Sequence, residues 1–145
     1  MRQGVKPVVC DASILVAFIL PDELSSAADA LVAEAQREQT TLLTAAHAAL
    51  ELGEALNRAQ RRGRISAEVL ETALAILEAL PLHYLPLDLT TREVSVVAAR
   101  EELSCYDAAY LLLAHRVGGH LATADAALAA AARRSGVLWD FSAPA

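Results

Sequence analysis

The stretch Val5-Lys6-Pro7-Val8-Val9-Cys10-Asp11-Ala12-Ser13-Ile14-Leu15 decides the architecture. Val8 to Cys10 is apolar without alternation, so Val5 to Cys10 reads as a strand covered on both faces. One polar residue later the chain enters a helix, Asp11 to Leu20, which Pro21 ends. The same strand-to-helix handover then repeats. Leu24, Ala28, Leu31, Val32 and Ala35 recur at helical spacing across Asp22 to Glu38. Thr41 to Thr44 is a short strand, and Ala45 to Arg62 a helix closed by Gly63. Ser66 opens a helix that reaches Leu80 before Pro81, and His83 to Leu87 is strand-like. Thr90-Thr91-Arg92-Glu93 has the capping-box pattern and opens a helix to Leu103. A helix over Ala108 to Val117 stops at Gly118-Gly119. His120 to Thr123 is a strand, Ala126 to Arg134 a helix, and Val137 to Trp139 a last short strand. This alternation predicts an α/β fold in three layers, with a central parallel sheet of about five short strands flanked by helices.

The chain has 145 residues, the size of one domain, expected over 1–139 with a loose tail at 140–145. Apolar residues make up 55% and charged residues 21%, which excludes disorder. No run approaches the roughly 18 apolar residues of a membrane span, and no signal peptide is expected at the start. Two cysteines make no disulfide framework, so a cytoplasmic protein is expected. A net charge of −6 argues against coating nucleic acid by bulk charge, though not against a basic rim around an acidic site.

Open α/β sheets take ligands beyond the carboxyl ends of their strands. The polar residues expected there are mostly acids. Asp11 follows the first strand and Asp125 the fourth, Asp107 opens the helix before that strand, and Glu51 and Glu54 lie on the helix after the second. Each has a structural reading. Asp11 and Asp125 suit helix N-caps. Ser104-Cys105-Tyr106-Asp107 fits a capping box. Glu54 and Arg58 make a helpful i,i+4 pair. Glu51 falls at the edge of the stripe Ala48, Leu52, Ala55, Leu56, Ala59, with His47, Glu54 and Arg58 on its flank, where a carboxylate needs a partner. Taken together, several carboxylates at one sheet end repel one another unless a cation neutralises them. Their hard oxygens suit Mg²⁺ or Mn²⁺, while the four His and two Cys lack zinc spacing. Such a cation serves phosphoryl chemistry.

Four segments, in order, carry a family resemblance. Val8-Val9-Cys10-Asp11-Ala12-Ser13 resembles the opening of PIN domains. Glu51-Leu52-Gly53-Glu54-Ala55-Leu56, leading to Arg61-Arg62-Gly63-Arg64-Ile65, is similar to the second motif. Tyr106-Asp107-Ala108-Ala109-Tyr110-Leu111 resembles the third and Leu121-Ala122-Thr123-Ala124-Asp125 the fourth. Size and simplicity resemble VapC-type toxins of type II toxin–antitoxin modules. The resemblance implies a Mg²⁺- or Mn²⁺-dependent endoribonuclease that leaves a 5′-phosphate and a 3′-hydroxyl. Its acidic quartet would be Asp11, Glu51, Asp107 and Asp125. Asp11, Asp107 and Asp125 would serve as the metal residues, with Ser13 and Thr123 as supporting hydroxyls. Glu54 departs from the neutral residue of many relatives and would either join the site or pair with Arg58. It further implies a homodimer and a VapB-like antitoxin partner, in keeping with a mean hydropathy of +0.36.

An RNA substrate needs a basic rim, expected at Arg58, Arg61, Arg62 and Arg64. Arg116, Arg133 and Arg134 are further candidates. Aromatics at 4% argue against a base-stacking platform. Phosphoacceptor receivers need a lysine beyond a late strand, and the only lysine is Lys6. Haloacid-dehalogenase phosphatases need Asp-x-Asp, and Ala12-Ser13 follow Asp11. Gly118-Gly119 is no phosphate loop. A non-catalytic PIN-like binding module and a structure-specific DNA nuclease stay open as alternatives.

Overall fold

The computed structural model of the chain describes residues 5–140. Its elements follow the order β1 (Pro7–Cys10), α1 (Ala12–Ile19), α2 (Ser26–Gln36), β2 (Thr41–Ala45), α3 (Ala48–Arg61), α4 (Ala67–Ala79), β3 (Leu82–Leu85), α5 (Thr91–Glu101), α6 (Cys105–Arg116), β4 (His120–Ala122) and α7 (Ala126–Arg134). The sheet is parallel throughout, in the order β3-β2-β1-β4. β1 is therefore central. Val8 pairs with Leu42 on one side and His120 on the other, and every residue of β1 is buried. The chain adds strands first to one side of β1 and then to the other. The end of β1 is thus the switch point where such sheets open a crevice, and Asp11 stands there.

Helices cover both faces, as the burial of β1 requires. α6 lies against β1, β2 and β4 with α5 and α7 beside it, while α1 packs with α2, α3 and α4. The main core runs through Val8, Val9, Leu15, Leu31, Leu52, Tyr110, Leu121 and Leu128. A second cluster of Ile19, Leu20, Leu56, Ala59, Ile65 and Ala73 joins α1, α3 and α4. Gly119 lets β4 approach β1: a Cβ there would stand 2.2 Å from the Pro7 carbonyl oxygen.

Among the described residues four strands form where about five were expected. Val137 to Trp139 gives only a bridge between Leu138 and Leu121, with Leu121 N donating to Val137 O and Trp139 N to Leu121 O. The turn after α7 brings too little chain alongside β4 for a ladder. α2 starts at Ser26 rather than Asp22, because Ser25 accepts from Ala28 N as its N-cap. α3 starts at Ala48 because β2 extends to Ala45. α6 starts at Cys105, ahead of Ala108, because Ser104 accepts from Asp107 N at 3.1 Å. The Thr90–Glu93 capping box forms as its spacing predicts. The expected tail lies outside the described residues after Asp140.

Candidate functional site

Asp11 caps α1, yet capping occupies only one of its oxygens. Oδ1 accepts from Ile14 N at 3.1 Å and from Ser13 Oγ at 2.7 Å. Oδ2 accepts from Thr123 Oγ1 at 2.6 Å, a residue just beyond β4. Ser13 Oγ in turn accepts from Ala124 N at 2.9 Å, and Thr123 Oγ1 from Asp125 N at 3.0 Å. Two hydroxyls thereby lock the end of β1 to the start of α7. Asp11 is only 3% exposed. Burial pushes its pKa up to about 6, against three hydrogen bonds that pull it down, and the Asp107 charge adds to the rise. A surface cap needs no such burial.

The other three acids of the quartet gather around this corner. Asp125 caps α7, accepting from Ala127 N at 3.0 Å. Asp107 sits in the first turn of α6 and Glu51 in the first turn of α3. The Asp107 carboxyl is raised by burial and by the charges of Asp125 and Glu51. Asp107 thus links the acids electrostatically, feeling Asp125 and Glu51 and acting on the buried Asp11. Among the described residues no three or more His, Cys, Asp or Glu side chains close around a single point as a preformed metal cage. The donors are all carboxylate oxygens in an open arrangement. That suits a hard cation keeping much of its water, such as Mg²⁺, better than zinc.

A cleft of about 680 Å³ opens beside the acids, bordered by Ser13, Glu51, Glu54, Arg58, Tyr106 and Ala124. Glu54 is exposed on its wall, and its expected ion pair with Arg58 is absent from the pairs among the described residues. Of the four rim arginines, Arg58 borders the cleft. Arg61 and Arg62 are exposed at the end of α3. Arg64 is already engaged: Nε and Nη2 donate to Asp22 Oδ2 at 3.1 and 3.0 Å, and Nη2 to Glu23 Oε1 at 3.1 Å. Arg116 pairs with Glu93 and the Asp88 carbonyl, and Arg134 with Glu101.

Two residues that the sequence reading did not single out for the site contact it. Tyr110 donates its hydroxyl to Glu51 Oε1 at 2.6 Å, and His47 Nε2 lies 3.4 Å from the same oxygen. Tyr110 carried a signal, since a tyrosine on a core-facing helix stripe needs a hydrogen-bond acceptor. That the acceptor is Glu51 is a fact of packing between α3 and α6.

Residues 8–134 match the PIN domain family. The chain is 33% identical over 122 residues to Ribonuclease VapC3 of Pyrobaculum aerophilum, which covers 84% of this chain and 92% of that protein. Among solved structures, the crystal structure of PAE2754 from Pyrobaculum aerophilum matches with a TM-score of 0.60 and 29% identity, over 88% of this chain and 82% of the other.

Proposed function

Because the chain belongs to the PIN domain family, we propose that it is a divalent-metal-dependent endoribonuclease, the toxin of a VapC-type toxin–antitoxin pair. The observation that carries the reading is that Asp107 is coupled to Glu51, to Asp125 and to Asp11 at the switch point of a parallel sheet. The 33% identity to a protein named Ribonuclease VapC3 supports RNA as the substrate class. One PIN unit over 1–139, followed by a short tail, is the corresponding domain plan.

Asp11, Asp107 and Asp125 are the residues that would hold Mg²⁺ or Mn²⁺. When bound, such a cation polarises a phosphate oxygen and lowers the pKa of a water. Asp11 cannot swing, because Ser13, Thr123 and the Ile14 amide hold both its oxygens. Asp107 and Asp125 come to the site from separate helix starts, α6 and α7. Glu51 orients the attacking water or accepts its proton at a carboxylate oxygen. Arg58 at the cleft, with Arg61 and Arg62 at the exposed end of α3, would neutralise backbone phosphates, whereas Arg64 braces the loop before α4 against Asp22 and Glu23.

A homodimer and a VapB-like antitoxin complete the reading. Leu24, Leu50 and Tyr106 are 97%, 76% and 63% exposed, apolar surface of the kind that partners cover. No helix among the described residues is long and apolar enough to cross a membrane. The deciding experiment is cleavage of labelled total RNA with Mg²⁺, with Mn²⁺ and with chelator. Metal-dependent fragments ending in a 5′-phosphate are expected. Intact RNA under every condition would leave the non-catalytic module standing, and cleavage confined to branched DNA the DNA nuclease.

A further inference from the structure

Glu51, Tyr110 and His47 meet in the seam between α3 and α6, beside the hydroxyl network around Asp11, to which Tyr110 is also joined through the Ala12 backbone. Tyr110 lies one helical turn after Asp107, is 1% exposed, and donates its hydroxyl to Glu51 Oε1 at 2.6 Å. Burial, then the hydrogen bond and charge of Glu51, push the phenol's pKa up, so it remains a donor at neutral pH. His47 immediately precedes α3. Its Nε2 is 3.2 Å from the Tyr106 carbonyl oxygen and 3.4 Å from Glu51 Oε1. A carbonyl only accepts, so Nε2 carries the proton in that contact, and Nδ1 is left buried without a partner among the described residues. The imidazole centroid stands 4.5 Å from that of Tyr110 and 5.9 Å from that of Tyr106. A group with an unmade hydrogen bond is held here by ring packing and by one nitrogen, at some cost.

We infer that Tyr110 and His47 are positioning residues for the Glu51 carboxylate, Tyr110 through its hydrogen bond to Oε1 and His47 through its place between Oε1 and the Tyr106 carbonyl, leaving Oε2 as the oxygen offered to the cleft. Two observations favour positioning over plain core packing. The phenol–carboxylate contact has the length of a charge-assisted bond. In addition, His47 donates from Nε2 to the carbonyl of the residue preceding Asp107 while standing 3.4 Å from Glu51 Oε1, so one imidazole is packed between the helix starts that carry two of the acids. The inference rests on the nuclease reading above, because it assigns Glu51 a task worth positioning.

The test is a double-substitution cycle on the full chain, with an NMR readout independent of cleavage. Tyr110→Phe removes only the hydroxyl. It should lower kcat about tenfold to a hundredfold, the size of a lost hydrogen bond to a charged acceptor, with KM for RNA changed less than about twofold. In a Glu51→Gln background the same change should alter kcat less than about twofold, because the residue acts through Glu51. Losses that multiply in the double variant would overturn the inference. A downfield, slowly exchanging Tyr110 hydroxyl proton should be visible in the wild type and move upfield in Glu51→Gln. Its absence would equally overturn the inference, whatever the cleavage assay gives. Should Tyr110→Phe fail to fold, His47→Ala and His47→Gln carry the same question. Gln retains a donor near the Nε2 position and should restore kcat that Ala loses; equal activity of the two would count against His47 as a positioning residue. Wild-type cleavage by Glu51→Gln alongside the downfield proton would instead remove Glu51 from the nuclease reading.

Discussion

Asp11 and Glu51 are both acids at the same sheet end, yet the chain holds them by opposite means. Asp11 is fixed by main chain and by hydroxyls one or two bonds from main chain: the Ile14 amide, Ser13 two residues on, and Thr123 at the end of the neighbouring strand. Glu51 is fixed by the tips of two longer side chains, one from another helix. The first corner is as rigid as the sheet. The second is as rigid as the packing of α3 on α6. A site built this way keeps one carboxylate immovable and lets another be tuned, which suits a division between holding a cation and orienting a water.

The largest expected effect falls on the rigid corner. Asp11→Asn keeps the shape and the cap, since Asn caps as well as Asp, but removes the buried charge. Cleavage should fall about a thousandfold or more, equivalent to about 4 kcal/mol of transition-state stabilisation. Steady-state kinetics on a labelled RNA with saturating Mn²⁺ checks it, and activity near wild type would reduce Asp11 to a helix cap.

Next comes the contrast within α3. Glu51→Gln should cost about a hundredfold in kcat, in the range of a lost general base or orienting group. Glu54→Gln, exposed and without its expected Arg58 partner, should cost less than about fivefold. Parallel and severe losses would place Glu54 in the site and blur the distinction between gripped and free acids.

The Asp11 corner should also make stability depend on pH. The Asp11 carboxyl rises from an ordinary 3.8 to about 6 on folding. A raised carboxyl favours the fold below its unfolded pKa, and that advantage is lost as pH climbs through the folded one. Metal-free protein should therefore lose stability between about pH 4 and pH 6. The loss should approach about 3 kcal/mol, from 1.36 kcal/mol per pH unit. Asp11→Asn should lack this phase and match or exceed wild type at pH 8 in chelator. Urea melts at pH 4, 6 and 8 read it directly. A wild-type curve without an Asp11-dependent phase would mean that the hydrogen bonds outweigh burial.

What the sequence made legible follows the same division. The Asp11 corner is local: an apolar strand, an acid, a serine two residues on, and a matching Thr123-Ala124-Asp125 after another strand. Helix caps at Ser66, Thr90 and Ser104 were legible for the same reason, each being a bond across three residues. The Tyr110–Glu51 contact spans 59 residues and depends on how two helices settle, which periodicity does not encode. The fifth strand failed for a related reason. Val137 to Trp139 has strand composition, but pairing needs neighbouring chain, and only Leu121 offers a bridge. Arg64 looked free beside Arg61 and Arg62, and its partners Asp22 and Glu23 stand some forty positions away.

The smallest effect separates those arginines. Each phosphate neutralised on a single strand contributes about −0.7 to the slope of log affinity against log salt. Replacing Arg58, Arg61 and Arg62 by Gln should flatten that slope by about 2 if all three meet backbone phosphates. Arg64→Gln should leave the slope unchanged, because its guanidinium is already committed to two carboxylates. Binding to a catalytically silent Asp11→Asn background, measured by fluorescence anisotropy from low to moderate salt, isolates contact from cleavage. An equal flattening by Arg64→Gln would show that RNA displaces Asp22 and Glu23, making the loop before α4 part of the substrate path rather than its brace. No flattening in the triple variant would mean that the strand does not run past the basic end of α3.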